Sequence, residues 1–218
     1  MAEKKKRKTT SGPIRDKSRT MTKMINAVGK VLQKKGYENL NAATIARAAG
    51  VDKKLVWTYF GSVDNLIEEY INLKAFWTLG VPNSVITKII ESPDKVGEEE
   101  TAELLDEYFD TFNQNIALQK VVHWEMGQST KLLRKVADKR EMVGEQLFSL
   151  VDGKFKNSEV DIRATIALLL GGIYYLNLHA NTNGSTVCGI DINEDEDKER
   201  IKKAMEKIIK NAFDDIKD

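Results

Sequence analysis

Apolar residues recur three and four positions apart along most of the chain, which predicts an all-α protein built from amphipathic helices. The first helix runs from about Ile14 to Lys35, where Met24, Ile25, Ala27, Val28, Val31 and Leu32 share a face and Gly36 ends the run. Tyr37 and Leu40 fall in a short link and are expected to pack beneath the helices around them. Beyond Gly61 and Ser62, the latter a suitable cap, a connecting helix is expected from Val63 to about Trp77 through Leu66, Ile67, Tyr70 and Ile71. Gly80, Pro82, Asn83, Pro93 and Gly97 then interrupt the pattern, leaving room for at most one short helix between residues 80 and 98.

Residues 41–60, NAATIARAAGVDKKLVWTYF, predict two short helices joined by a glycine turn. Asn41 can cap the first by accepting from backbone N–H groups that lack a partner inside the helix, and Ile45, Ala46 and Ala49 lie on one face of it. Gly50 suits a left-handed helix end, and Val51 turns an apolar side chain inward as the chain reverses. Asp52 caps a second helix, Lys53 to Tyr59, in which Val56 and Phe60 face the first. That arrangement leaves Lys53, Lys54, Trp57 and Thr58 outward. Lysines neutralise phosphates, a threonine hydroxyl donates to one, and an indole offers an N–H and a flat apolar body to sugar or a thymine methyl. The same outline also fits an ordinary helical hairpin.

The remainder reads as helix to its end. Leu104, Leu105, Tyr108, Phe109 and Phe112 form an apolar stripe, a second segment follows from Ile116 to Met126, and a long helix is expected from Ser129 to Phe155. The helix from Asp161 to about Asn181 is apolar around nearly its whole circumference, so it must be covered on more than one side. Gly171 and Gly172 inside it each cost about 1 kcal/mol relative to alanine, which a close approach by another backbone or a ligand would offset. The last helix carries Ile201, Ala204, Met205, Ile208, Ile209, Ala212, Phe213 and Ile216 in helical register. Leu168, Gly171, Gly172, Ile201, Met205, Ile208 and Ala212 are therefore expected at a four-helix interface with the same pair of helices in a second subunit; packing within one chain is the alternative. The acidic link between the two helices, Asp191 to Asp197, is expected to be solvated and to favour the start of the last helix.

Charge separates the two ends of the chain. The net charge is +1, yet residues 1–60 hold 15 Lys and Arg against 4 Asp and Glu, and residues 61–218 hold 19 against 29. A basic end carrying the two-helix segment, joined to an acidic body, is what polyanion binding at that end requires. Lys4 to Lys8 form a basic run that reads as a disordered arm; beside a helix-turn-helix such an arm can enter the minor groove, and otherwise it solubilises. No apolar run is long enough to span a membrane and no signal peptide is evident, so a cytoplasmic protein with no membrane partner is expected. The lone Cys188 agrees with a reducing compartment. The Asn183-Gly184-Ser185 acceptor triplet then reads as chance.

Taken together, residues 24–66 resemble the DNA-binding head of the TetR family of bacterial transcriptional regulators. The residues that carry the resemblance are Lys35-Gly36-Tyr37, Ile45-Ala46, Ala49-Gly50-Val51, Trp57, Tyr59-Phe60 and Gly61-Ser62 before Leu66. The resemblance implies three parts: a basic arm over 1–13, a helix-turn-helix domain over 14–62, and a ligand-binding and dimerisation body over 63–218, whose residues 63–77 connect the two. It implies a homodimer on a near-palindromic double-stranded operator, its recognition helices about 34–36 Å apart, and a repressor released by an unidentified small-molecule effector. By position it assigns DNA contacts to Ala42 and Ala43 and to Lys53, Lys54, Leu55, Trp57, Thr58 and Tyr59. Leu55, Val63 and Ala43 depart from the family's usual residues, which bears on the operator sequence more than on DNA binding.

No phosphate-cradling glycine loop or nucleophile elbow is present, so neither an enzyme nor a cofactor is expected. His123, His179 and Cys188 lack the spacing of metal ligand sets, and no metal is expected. His123, Trp124, Tyr174, Tyr175 and Asn177 set polar tips among apolar neighbours, a composition that fits a ligand pocket; the alternative, favoured for any single one of them, is the core or a subunit interface. The alternatives to a ligand-responsive regulator are a helical carrier or enzyme that has lost DNA binding, and an architectural DNA binder that reads no sequence.

Overall fold

Helix α1 (Pro13–Lys35) turns the stripe Met24, Ala27, Val28, Val31 and Leu32 inward and leaves its lysines in water, as its spacing requires. It opens a computed structural model that describes residues 13–74, 87, 89, 91–184 and 186–216. The basic run Lys4–Lys8, the end of the expected connecting helix at Trp77, the breakers Gly80, Pro82 and Asn83, and Ser185 of the acceptor triplet lie outside the described residues. The chain divides into two units, Met1–Leu73 and Lys74–Asp218.

In the first unit a single 3-10 turn, Tyr37–Asn39, leads from α1 to α2 (Ala42–Ala49), α3 (Lys54–Phe60) and α4 (Val63–Lys74). Tyr37 and Leu40 are half-buried there. The local signals act as their chemistry predicts. Asn41 Oδ1 accepts from the Thr44 N–H at 3.0 Å, Asp52 Oδ1 from the Lys54 N–H at 2.8 Å, and Ser62 Oγ from the Asn65 N–H at 3.0 Å. Gly50 is left-handed (φ 68°, ψ 39°), and the next amide, Val51 N–H, closes the helix end on the Ala46 carbonyl at 3.0 Å.

Helix α4 falls in the first unit, beyond the head boundary expected after Ser62. A close approach explains it. Tyr70 of α4 lies against α1 at Gly29, where a Cβ would stand 2.7 Å from the ring. Only glycine leaves room for that ring. Val56, Phe60, Leu66, Ile67 and Ile71 are buried with it.

The second unit is built around α5 (Glu98–Gln114), which packs on α6 (Ile116–Gly127), α9 (Ile162–Asn183) and α10 (Asp195–Asp214). Its buried Leu105, Tyr108, Phe109 and Phe112 supply the apolar contact, and polar bonds set the register. Lys202 of α10 reaches Asp106 at 3.0 Å and Asp110 at 2.8 Å. Asn113 donates to Asn177 and Asn181 to Gln119, both at 2.8 Å. Asn177 is thus a buried structural residue, because its own amide is occupied by the Ile173 carbonyl as well.

Two expectations for the body need correction. The long helix from Ser129 to Phe155 is interrupted: α7 covers Lys131–Phe148 and a separate turn, α8, covers Asp152–Phe155. At the break the Ser149 hydroxyl donates to the Gln146 carbonyl at 2.7 Å, and the amides of Leu150 and Val151 reach back three residues instead of four. The apolar series of α10 also divides. Met205 and Ala212 are buried inside the body with Ile209 and Phe213, so their side chains are not available to a second subunit; Ile201 is half-buried and Ile208 exposed. Among the described residues no helix is long and apolar enough to cross a membrane.

Candidate functional site

The outward face of α3 is polar and cationic because its apolar pair is used on the other side. Val56 and Phe60 are buried, whereas Lys53, Lys54 and Thr58 are exposed and Trp57 is 52 % exposed. An indole this open on a seven-residue helix makes no contribution to the core that would explain it. Thr58 Oγ1 donates to the Lys54 carbonyl at 3.1 Å, so its lone pairs face outward. Leu55 and Tyr59 are half-buried at the edge, and the Lys17 ammonium of α1 lies 5.4 Å from the centre of the Tyr59 ring. Of the pair at the start of α2, Ala43 is exposed and Ala42 buried, so the methyl of Ala42 packs inward and cannot meet DNA.

The body holds a cavity of about 420 Å³. Its walls come from α5, α6, α7 and α9, with Leu104, Leu105, Leu147, Leu150, Val151 and Leu170 giving an apolar lining. Four polar side chains gather at one place in that lining. Tyr108 donates to Tyr174 at 2.7 Å, and Arg140 Nη2 donates to both carboxylate oxygens of Glu125, at 2.6 Å to Oε1. The Arg140 side chain is 11 % exposed, and its Nη1 is buried without a hydrogen-bond partner among the described residues. Burial works against its charge, and Tyr174 and Glu125 more than offset that, so its pKa is raised and the guanidinium stays ionised. Burial, then the neighbouring Tyr174, pushes the Tyr108 phenol well above its ordinary value, so it remains a neutral donor.

Of the five residues expected at a pocket, Tyr174 alone lines this cavity. Trp124 is buried with its indole donating to Gln128 at 3.1 Å, and Asn177 is held as described above. His123 is exposed, and Tyr175 is 59 % exposed and stacks on His179 at 5.6 Å. Arg140, Glu125 and Tyr108 are the residues that sequence reasoning missed. A charged residue on the apolar side of α7 was the available signal, but its partner lies 15 positions away on another helix.

Among the described residues, the same helix α9 leaves an apolar strip uncovered. Leu168 is 79 % exposed, Gly171, Gly172 and Tyr175 are open, and Ile208 of α10 is 42 % exposed. Among the described residues, nothing outside the helix's own backbone stands within 4 Å of a Cβ built on Gly171 or Gly172. His123 and Cys188 are exposed and His179 half-buried, and no group of three or more His, Cys, Asp or Glu among the described residues could hold a metal ion.

Residues 25–70 match the family model described as bacterial regulatory proteins, tetR family. No curated protein matches the chain. Among solved structures, it is similar to the fatty acid degradation regulator FadR from Bacillus halodurans at 20 % identity and a TM-score of 0.58, over 94 % of this chain and 97 % of that one. It is similar also to FadR from Bacillus subtilis in complex with stearoyl-CoA (16 % identity, TM-score 0.58, 88 % and 97 %). A TetR family transcription regulator from Marinobacter aquaeolei VT8 matches at 15 % identity and a TM-score of 0.59, over 90 % and 98 %. At these identities the likeness is one of fold.

Proposed function

We propose that the chain is a sequence-specific DNA-binding transcriptional regulator, a repressor that leaves a palindromic operator when a small molecule fills its body; the match of residues 25–70 to the family model of bacterial regulatory proteins, tetR family, supports this reading. The observation that carries this is the outward face of α3. Lys53, Lys54, Trp57 and Thr58 stand in water on a short helix whose inner face is anchored and whose entry is fixed by Gly50 and Asp52. Such a helix presents cations for phosphates together with an indole for base edges, the two kinds of contact that positioning and sequence reading require.

The homodimer is part of this proposal. The open strip of Leu168, Gly171, Gly172, Tyr175 and Ile208 supports it, since a two-fold axis lets an apolar patch cover its own copy. A dimer then carries two α3 helices, and an inverted repeat is the DNA that matches them. The body cavity supports an effector with an aliphatic portion, and the Bacillus subtilis protein of this fold has been captured with stearoyl-CoA. Release follows if ligand-filled bodies favour a separation of the two heads that the operator does not accommodate.

Selection of bound duplexes from a random library at physiological salt, with the oligomeric state read in the same sample, tests the reading. Enrichment of an inverted repeat by a dimer is expected. Equal retention of selected and scrambled duplexes would leave only the phosphate attraction and defeat it.

A further inference from the structure

The polar side chains that line the body cavity are unevenly satisfied. Two of them are used by one backbone unit: Thr101 Oγ1 donates to the Gly97 carbonyl at 2.6 Å, and Glu100 Oε2 accepts from the Gly97 N–H at 3.0 Å. At the other polar patch, donors are left over. Arg140 spends Nη2 on Glu125, and its Nη1, which carries two N–H groups, is buried with no acceptor among the described residues. The two phenols share one hydrogen bond, from Tyr108 to Tyr174, which leaves the Tyr174 proton without an acceptor among the described residues. A buried donor in that condition carries a desolvation cost that nothing has repaid. Arg140 and Tyr174 both line the cavity, so an acceptor brought by a ligand reaches them from there.

Charge decides what kind of acceptor fits. Among the described residues of the lining, one base, Arg140, stands against three acids, Glu100, Glu125 and Glu141. An anionic group brought to Arg140 would meet Glu125, which already holds that guanidinium through both oxygens, in an apolar setting that strengthens the repulsion. A cationic group suits the acids but has no lone pair for the unused N–H and O–H donors. An uncharged carbonyl meets neither objection, because its oxygen has lone pairs for two donors and adds no charge. The volume of about 420 Å³ lies toward the lower end of the roughly 300–1,000 Å³ of small-molecule sites, so the ligand is compact.

We propose that the effector is a compact, uncharged, largely apolar carbonyl compound, of the ketone, ester or lactone kind. Its oxygen accepts from Arg140 and Tyr174, and its hydrocarbon part fills the leucine-lined remainder of the cavity. The inference rests on the effector reading above and narrows it by the chemistry of the head. Such a ligand ties α7, which carries Arg140, to α9, the helix that also bears the strip proposed to pair with a second copy.

Three probes of one chain length separate the charge states: 2-decanone, decanoate and decylamine, each titrated by calorimetry into the full-length protein and into its R140K and E125Q/R140M variants. R140K keeps a cation on Glu125 but withdraws the second nitrogen. E125Q/R140M removes one charge of each sign, so the net charge of the lining is kept and a change in affinity reports the donor. Cooperative thermal unfolding shows which variants fold, and either one suffices. The ketone is expected to bind the native protein more tightly than the other two probes and to weaken about tenfold in the variants. Its carbonyl stretch should lie at lower frequency in the native complex than in the variant complexes. Decanoate or decylamine binding the native protein at least as tightly as the ketone would overturn the carbonyl anchor and leave an effector of other chemistry standing. A ketone whose affinity and carbonyl frequency are unmoved by the variants would do the same. Failure of all three probes to bind would overturn both readings.

Discussion

The phenol of Tyr108 on α5 donates to the phenol of Tyr174 on α9 across 2.7 Å, and the two rings meet edge to face with centroids 6.1 Å apart. One hydrogen bond thus ties the central helix of the body to the helix that also carries the uncovered strip. Replacing Tyr108 with Phe removes the donor and is expected to lower stability by about 1 kcal/mol. The raised pKa of Tyr108, caused first by burial and then by Tyr174, adds a pH signature. Below about pH 10 both folded and unfolded forms are protonated. Above it the unfolded chain loses the proton first, so the folded form binds more protons and stability falls as pH rises. Urea midpoints should therefore drop less steeply on the alkaline side for Tyr108→Phe than for the native chain; parallel slopes would contradict this account.

Arg140 and Glu125 form a mostly buried pair, so the loss of one partner matters more than the loss of both. Glu125→Gln is expected to destabilise the body by about 2 kcal/mol, since it leaves a guanidinium in an apolar lining with its charge uncompensated. The double variant Glu125→Gln with Arg140→Met should recover most of that loss. Denaturant unfolding of the three proteins measures the coupling, and additive losses would show the pair to be unimportant.

Leu168 and Ile208 are the most exposed aliphatic residues on the last two long helices. Leu168→Glu together with Ile208→Glu puts charge on the strip proposed to pair with its own copy. Sedimentation should then report the 24.6 kDa chain alone, with operator affinity reduced because two recognition helices are no longer joined. A dimer that persists unchanged would locate the interface elsewhere.

Lys53 and Trp57 differ in what they should contribute to DNA. Trp57→Ala is expected to cost about 1–3 kcal/mol on the selected operator and little on scrambled DNA, as a base-edge contact should. Lys53→Ala should weaken both and reduce the slope of log affinity against log salt by about one. The thermal midpoint should stay within a degree or two for both variants, because neither side chain is in the core. Equal losses on all duplexes from Trp57→Ala would remove the base-reading role assigned to it.

Much of the head could be read directly because its signals are local. Asn41, Gly50, Asp52 and Ser62 each act on backbone groups two to five residues away, and each is found doing so. The burial of Val56 and Phe60 against the exposure of Trp57 follows from three- and four-residue spacing. Gly29 escaped notice since its reason lies in Tyr70, 41 positions later. Nothing in the neighbours of Ser149 marks a helix end, yet the helix stops at Phe148 and resumes only as the short turn α8.

By itself, then, the sequence determined the all-helical class, the order of the helices, the glycine turn and the cationic face of α3, because periodicity and capping act over a single turn of chain. Only the tertiary structure decided that Met205 and Ala212 face inward while Leu168 and Ile208 face out, and that Tyr108, Glu125, Arg140 and Tyr174 meet at one cavity. Those outcomes depend on where four helices cross. A helix with apolar residues on most of its circumference can turn several faces to its neighbours, and the neighbours' positions, set by contacts many tens of residues apart, choose among them.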